Sequence, residues 1–206
     1  MTLKPELQRK LIQTVANRVI QHAEELVTLD QAIGDGDHGL NMKRGFEAVL
    51  GDLDKTAALP TGEALKADGM ALVMKVGGAS GPLYGTLFMS LGKALPLELS
   101  AASLADAFAA AVDAVKARGK SGAGEKTMLD VLVPLLAVLR SGGEDLSKRL
   151  RVCATASAAA TVPMRATRGR ASFLGERSIG HMDPGARSSE LMVHAILDVL
   201  EQEAAT

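Results

Sequence analysis

Aromatic residues are scarce in this sequence, and their scarcity narrows the fold classes open to it. They make up 2% of the 206 residues and Trp is absent, although 47% of the residues are apolar. The core must therefore be built from Leu, Val, Ile, Met and Ala, a set that favours helices over a β-sandwich. The length suits a single domain spanning residues 1–206 and allows a sizeable buried core.

Excess charge, paired cysteines and long apolar runs are also missing. The net charge is -1, so there is no basic field to attract nucleic acid or a membrane, and we expect neither as a partner. Cys153 is the single cysteine and is expected to be a small buried hydrophobe. The N-terminal MTLKPELQRK lacks an apolar signal region, and no run approaches the ~18 apolar residues of a membrane helix. A cytoplasmic protein is the expectation.

Helical periodicity covers most of the chain and predicts an all-α fold of eight helices. In the first segment Leu7, Leu11, Val15 and Val19 recur every fourth residue, and the other seven helices begin near residues 38, 61, 80, 100, 127, 146 and 183. Thr61 is predicted as an N-cap, Gly119 as a C-cap and Asp183 as the N-cap of the last helix, and the seventh helix is expected to reach about Met164. Residues 165–182 lack helical periodicity, and a loop of this length is usually functional or disordered.

The stretch LDQAIGDGDHGLNM, residues 29–42, gathers three carboxylates. Asp30, Asp35 and Asp37 repel one another unless a positive charge lies between them, and Asp35 and Asp37 point the same way in an extended loop. Oxygen ligands in small number suit Mg²⁺, whose coordination is then completed by phosphate and water. The pattern therefore indicates a magnesium site.

This stretch has two other possible interpretations. A calcium EF-hand is excluded because, counting from Asp35, the sixth residue is Leu40 instead of Gly and the twelfth is Phe46 instead of Glu. A purely structural role remains open, in which Asp37 caps the next helix and Asp35 forms a turn.

Two further segments are typical of phosphate binding. HGLN, residues 38–41, opens a helix whose free N–H groups attract anions. In KVGGASGPLYG, the residues Gly77, Gly78, Gly81 and Gly85 can bring backbone N–H groups close to a phosphate, although the Walker A ending is missing. A glycine-rich turn alone is also compatible with a structural role.

The long loop supplies arginines that could bind phosphate through planar forks. These are Arg168, Arg170 and Arg177. The alternatives are that each arginine is solvated, that Asp183 only caps its helix, and that His181 makes structural hydrogen bonds.

Four blocks of the sequence together resemble a known family. LDQAIGDGDHGLNMKRGF, VGGASGPLYGT, GEKTMLDVLVP and ATRGRASFLGERSIGHMDPGA are similar, in this order, to the nucleotide-binding L subunit of bacterial dihydroxyacetone kinase of the phosphoenolpyruvate-dependent type. The resemblance covers nearly the whole chain. It implies an eight-helix antiparallel up-and-down barrel with a nucleotide site at one rim.

The resemblance also implies the ligands and the residues that hold them. ADP or ATP would bind with two Mg²⁺ ions held by Asp30, Asp35 and Asp37. The implied phosphate contacts are His38, Gly39, Leu40, Asn41, Ala79 and Ser80; Gly119 and Met128 would border the adenine; and Arg170, Asp183, Pro184 and Gly185 would complete the site. Arg170 would be catalytic, because it would stabilise the group in transfer.

The implied reaction is phosphoryl transfer by several separate subunits. A separate K subunit would hold dihydroxyacetone, and a phosphoenolpyruvate-fed M subunit would rephosphorylate the bound ADP. One alternative is an ATP-dependent kinase subunit for another hydroxyketone such as erythrulose. Another is a co-regulator that binds a transcription regulator according to its nucleotide state.

Overall fold

All regular secondary structure in the described part of the chain is helical, which confirms the all-α prediction. A computed structural model describes residues 3–96, 98 and 100–205. The α-helices are α1 (Pro5–Gln21), α2 (Ala23–Ile33), α3 (His38–Gly51), α4 (Leu53–Thr56), α5 (Thr61–Lys75), α6 (Ser80–Ala94), α7 (Ala101–Gly119), α8 (Leu129–Ser141), α9 (Leu146–Ala160) and α10 (Pro184–Ala204). A 3-10 segment spans Arg170–Ser178. Among the helices described here, none has both the length and the apolar character needed to cross a bilayer.

The eight predicted helices are present, but the first is interrupted. His22 separates α1 from α2 with φ -100° and ψ 15°. Its ring Nδ1 lies 2.8 Å from the carbonyl oxygen of Arg18, which also accepts the His22 backbone N–H at 3.3 Å. The side chain thus competes with the backbone for one acceptor at the break. The short α4 was not predicted.

Three predicted helix ends were wrong by one to four residues. Pro60 is the N-cap of α5, and the Thr61 hydroxyl has no hydrogen-bond partner among the described residues. Lys120, with φ 49°, is the left-handed C-cap of α7 in place of Gly119. Helix α9 ends at Ala160 because the Thr161 hydroxyl donates to the Ala158 carbonyl at 2.7 Å and the chain turns there.

The start of α10 agrees with its prediction. The Asp183 carboxylate accepts the Ala186 N–H at 2.7 Å, and Pro184 takes the first helical position. Proline is tolerated there because that N–H has no acceptor within the helix. This turn is locally encoded, and it fixes the direction in which α10 leaves the site.

The long helices pack in a closed ring. Each contacts its neighbour in chain order through α3, α5, α6, α7, α8, α9 and α10, and α10 returns to α1. The ring is consistent with an up-and-down barrel, because short connections make neighbouring helices antiparallel. Its interior is aliphatic, with Val19, Leu72 and Val112 fully buried and Phe46 in edge contact with Phe88.

Helices α5 and α6 approach each other closely through glycines. A Cβ on Gly85 would lie 2.8 Å from the Gly69 carbonyl oxygen, and one on Gly69 would lie 2.9 Å from the Gly85 carbonyl oxygen. A Cβ on Gly81 would likewise meet the Val76 carbonyl. Both glycines therefore serve helix packing, and the prediction that their backbone N–H groups face a phosphate stays a prediction.

Candidate functional site

A cavity lies at the end of the ring where four of the described helices begin. Its wall contains the first residues, or the residues just before them, of α3, α6, α8 and α10. The cavity is lined by Asp30, Ile33, Asp35, Asp37, His38, Gly78, Ala79, Ser80, Leu83, Tyr84, Lys126, Thr127, Met128, Arg168, Gly169, Arg170, Ala171, Asp183, Pro184 and Gly185. Helix N-termini carry partial positive charge and free N–H groups, so their convergence favours an anionic ligand.

Asp30, Asp35 and Asp37 form a carboxylate cluster on one side of this cavity. Each offers a ligand oxygen, and the three oxygens lie within 4.8 Å of one another. The Asp30 carboxylate accepts the His38 backbone N–H at 3.0 Å, so Asp30 caps α3 from the end of α2. Burial, together with the charges of Asp35 and Asp37, raises the pKa of Asp30. The cluster is thus costly unless a cation compensates its charge.

Helix capping does not account for Asp37. It occupies the N-cap position of α3, but its side chain makes no capping hydrogen bond within the described structure. The turn before it depends on Gly36, whose φ of +75° lies in the left-handed region that favours glycine. Of the two interpretations left open by the sequence, the geometry favours a cation-binding group.

Arg170 reaches the carboxylate cluster from the 3-10 segment. Its Nη1 lies 2.6 Å from Asp35 Oδ2, and the two side chains are 65% and 35% exposed. The arginine thus partly compensates the cluster in the free protein. It also lines the cavity.

The His38 side chain belongs to a buried hydrogen-bond network. Its Nδ1 lies 2.9 Å from Ser80 Oγ and its Nε2 lies 3.0 Å from Ser188 Oγ. Ser188 Oγ is in turn 2.7 Å from the Tyr84 hydroxyl, which also lies 3.0 Å from Ser189 Oγ. Burial lowers the pKa of His38 to about 4, so the ring is neutral at pH 7. The network ties the beginnings of α3, α6 and α10 together.

Asp183 is a buried carboxyl that also lines the cavity. Burial raises its pKa to about 7, the nearby charges of Asp130 and Asp30 add to this effect, and the Ala186 N–H and Lys126 oppose it. Its backbone N–H donates to Thr161 Oγ1 at 3.0 Å. The turn that begins α10 is therefore fixed from both sides.

Most of the residues predicted for the site line the cavity, and four do not. Those on its wall are Asp30, Asp35, Asp37, His38, Ala79, Ser80, Met128, Arg170, Asp183, Pro184 and Gly185. Gly39 is buried against α2, where a Cβ would lie 2.7 Å from the Val27 nitrogen. Leu40 is 59% exposed, and the Asn41 side chain accepts a hydrogen bond from Arg44 at 2.8 Å. Gly119 borders the wall indirectly, since a Cβ there would lie 3.3 Å from Leu83 Cδ2.

The arginines predicted to bind phosphate also differ in whether they line the cavity. Arg168 lines the cavity and pairs with Glu125 at 3.1 Å, whereas Arg177 is exposed and absent from the cavity wall. Sequence reasoning missed Tyr84, Lys126 and Ser188. Their partners are 35 to 150 residues away along the chain, and no local pattern marks such contacts.

Comparisons with known proteins find relatives that match most of the chain. A family model described as DAK2 domain matches residues 32–198. The chain is 43% identical over 198 residues to the PEP-dependent dihydroxyacetone kinase 1, ADP-binding subunit DhaL, of Listeria innocua, covering 96% of this chain and 98% of the relative. It is 45% identical over 182 residues to the corresponding subunit of Escherichia coli, covering 84% of this chain and 87% of the relative.

A solved structure supports the fold. The dihydroxyacetone kinase of C. freundii, determined in complex with AMP-PNP and Mg²⁺, matches with a TM-score of 0.74 at 23% identity. The match covers 96% of this chain and 34% of that chain. The chain thus spans about a third of the length of that kinase, whereas it spans nearly all of the separate ADP-binding subunits.

Proposed function

Since the chain belongs to the DAK2 domain family, we propose that it is the ADP-binding subunit of a phosphoenolpyruvate-dependent dihydroxyacetone kinase. As one domain it passes a phosphoryl group from bound nucleotide to dihydroxyacetone held by a separate K subunit, and a phosphoenolpyruvate-fed M subunit restores the nucleotide. The observation that carries this proposal is the carboxylate cluster beside four converging helix N-termini. The near-complete coverage of the ADP-binding relatives supports the separate-subunit arrangement.

The residues of the carboxylate cluster fit magnesium. They offer only carboxylate oxygens, which hard cations prefer. Burial raises the pKa of Asp30, and the charges of Asp35 and Asp37, which a cation would offset, raise it further. Asp30, Asp35 and Asp37 would hold two Mg²⁺ ions. When bound, such ions neutralise phosphate charge and orient the group in transfer.

The remaining walls suit the other parts of a nucleotide. Gly78, with φ +63°, forms the turn that presents the backbone of Ala79 and Ser80 at the start of α6, where phosphates would bind. The apolar side chains of Leu83 and Met128 line the cavity, and Leu83 lies against Gly119, so this part of the wall would take adenine. Both contacts follow from the chemistry of the wall.

The protein's own contribution to transfer is positioning and charge stabilisation. Phosphoryl transfer requires little covalent chemistry from the enzyme, because charge spreads over the oxygens of the transferring group. The Arg170 guanidinium can donate to those oxygens. His38 is neutral and hydrogen-bonded at both ring nitrogens, so its task is to orient the Ser80 hydroxyl.

Replacing the metal ligands tests this function. Asp35→Asn and Asp37→Asn should each lose bound ADP during gel filtration in Mg²⁺, while circular dichroism shows unchanged helicity. Asp54→Asn is the matched control, because that carboxylate is 94% exposed and lies on α4. Full retention of ADP by both cluster variants would reject the proposed metal site.

Nucleotide exchange separates the proposed function from its alternative. ADP that stays bound through purification and is not displaced by ATP supports the phosphoenolpyruvate-dependent route. Free exchange with ATP, followed by phosphorylation of erythrulose or another hydroxyketone, would support the ATP-dependent route instead.

A further inference from the structure

Lys126 is a buried lysine that the reaction described above does not use. Only 1% of its surface is exposed. Burial lowers the pKa of its amine, and the nearby charge of Asp183 opposes that effect. A buried ammonium is costly unless its hydrogens find acceptors, so its partners should reveal its role.

Those partners are backbone carbonyl oxygens from the two ends of one segment. Nζ lies 2.9 Å from the carbonyl oxygen of Thr161 and 3.0 Å from that of Met164, at the beginning of the segment. It lies 2.7 Å from the carbonyl oxygen of Ser178 and 2.5 Å from that of His181, near the end. We call residues 161–182 the arginine loop, because Arg168 and Arg170 lie between these two ends.

The backbone at Lys126 indicates that this side chain is required there. Its φ is +62°, a left-handed conformation that glycine adopts at lower cost. Glycine would lack the amine. The conformation is held by Asp130, whose carboxylate accepts the Thr127 N–H at 2.7 Å and also the Gly124 N–H.

Other contacts hold the middle of the loop, and three further hydrogen bonds cross its base. The Arg168 Nε lies 3.1 Å from Glu125 Oε1, on the same turn as Lys126. Ala171 packs with Ile33 at the end of α2. These hydrogen bonds run from the Gly180 N–H to the Val162 carbonyl at 2.8 Å, from the Ala166 N–H to Ser178 Oγ at 2.9 Å and from the Asp183 N–H to Thr161 Oγ1 at 3.0 Å. Each of them joins one pair of residues, whereas the Lys126 ammonium contacts two carbonyl oxygens near each end.

We propose that Lys126 is the positioning residue that closes the base of the arginine loop and thereby holds Arg170 at the carboxylate cluster. An ammonium has three hydrogens, and the carbonyl oxygens around Lys126 occupy them, so none remains for a nucleotide. Lys126 therefore acts through Arg170 and not on the reacting atoms. The closure of the loop stands independently, and its effect on transfer rests on the proposed function.

Opening of the arginine loop can be measured by proteolysis, because trypsin can cleave after Arg165, Arg168, Arg170 and Arg177. Lys126→Met removes the charge and keeps the side-chain length. Cleavage within the loop should become at least about tenfold faster, because it follows the population of the open loop. Lys120→Met is the control, since Lys120 is exposed and has a similar φ of 49°. It should be cleaved in the loop at the wild-type rate.

A double-mutant cycle shows whether Lys126 acts through Arg170. With the K subunit supplied, Lys126→Met should slow single-turnover transfer, and adding it to Arg170→Ala should cause no further loss. Losses that multiply would mean independent action and would overturn the proposal. Wild-type cleavage of Lys126→Met would also overturn it.

Two other results, a loss of helicity in the variants and a failure of the wild type to bind ADP, also have defined meanings. If Lys126→Met loses helicity by circular dichroism, Lys126→Arg is measured by the same criteria, because it keeps the charge but cannot fit a fork among these carbonyls. Loss of helicity in both variants would make Lys126 a folding residue and overturn the proposal. If the wild-type protein does not bind ADP, the proposed function is rejected but the closure of the arginine loop is not. The trypsin experiment would then still decide whether Lys126 closes the loop.

Discussion

Removal of Arg170 should strengthen metal binding while it weakens phosphoryl transfer. In the free protein the Arg170 guanidinium forms an ion pair with Asp35 at 2.6 Å. A cation must therefore displace the arginine before that carboxylate can bind the cation. Arg170→Ala removes the competitor and leaves the carboxylate cluster intact. An arginine that only bound phosphate would have no such effect on the metal alone.

The magnitude follows from the exposure of the pair. Both side chains are well solvated, at 65% and 35% exposed, and exposed ion pairs contribute about 0.2–1 kcal/mol. Mg²⁺ affinity without nucleotide should therefore rise by a factor of about 1.4 to 5. The transfer rate should fall on the order of 10²–10³-fold, as when one preorganised donor to a developing charge is removed. Arg170→Lys should recover little, because a point charge cannot replace the planar fork.

The assay compares three quantities in the same variants. Calorimetry gives Mg²⁺ affinity of the nucleotide-free protein and ADP affinity in saturating Mg²⁺, and single-turnover transfer with the K subunit gives the rate. Arg165→Ala, an exposed arginine near the start of the arginine loop, should leave all three unchanged. Lower Mg²⁺ affinity in Arg170→Ala would refute the competition argument. Equal losses of ADP affinity and rate would make Arg170 a ground-state binder.

Two further predictions concern stability. Burial raises the pKa of Asp68 from 3.8 to about 7, with the charge of Asp52 adding to it, so the folded protein keeps this carboxyl protonated while the unfolded chain ionises. Ionisation of Asp68 should cost the wild type on the order of 4 kcal/mol as pH rises from about 4 to 8. Asp68→Asn should lack this contribution and keep the one from Asp183, whose pKa is also raised to about 7. An equal pH dependence in both, measured by urea unfolding, would contradict this. Mg–ADP at a hundredfold excess over Kd should stabilise the fold by about 2.7 kcal/mol, and EDTA should remove the gain; a melting temperature indifferent to both additions would reject the nucleotide site.

Features encoded within a few residues were predictable from the sequence. The Asp183–Pro184 start of α10 depends on one side chain and one ring, and both agree with the prediction. The grouping of Asp30, Asp35 and Asp37 follows from a short turn between two helices. In each case the interacting groups are less than ten residues apart, so the sequence contains nearly the whole interaction.

Features that depend on distant carbonyls or hydroxyls were not predictable. The acceptors of Lys126 are backbone oxygens, which every residue type provides, so the segment it binds has no compositional mark. Of the two serines that contact His38, Ser188 is 150 residues away, and no periodic pattern or motif marks a serine at that position. Helix ends were only partly predictable. The end of α7 was predicted at Gly119, but the following residue, Lys120, adopts the left-handed C-cap conformation.

The charges of the site explain why a nucleotide and its metal should bind together. Four helix N-termini favour an anion, while the carboxylate cluster opposes it. A cation alone is attracted by the cluster but must displace Arg170 and meets the same positive helix ends. Each ligand therefore relieves the repulsion felt by the other, so a metal–nucleotide complex satisfies both halves of the cavity. Linkage then requires that ADP raise the affinity for Mg²⁺ by the same factor by which Mg²⁺ raises the affinity for ADP.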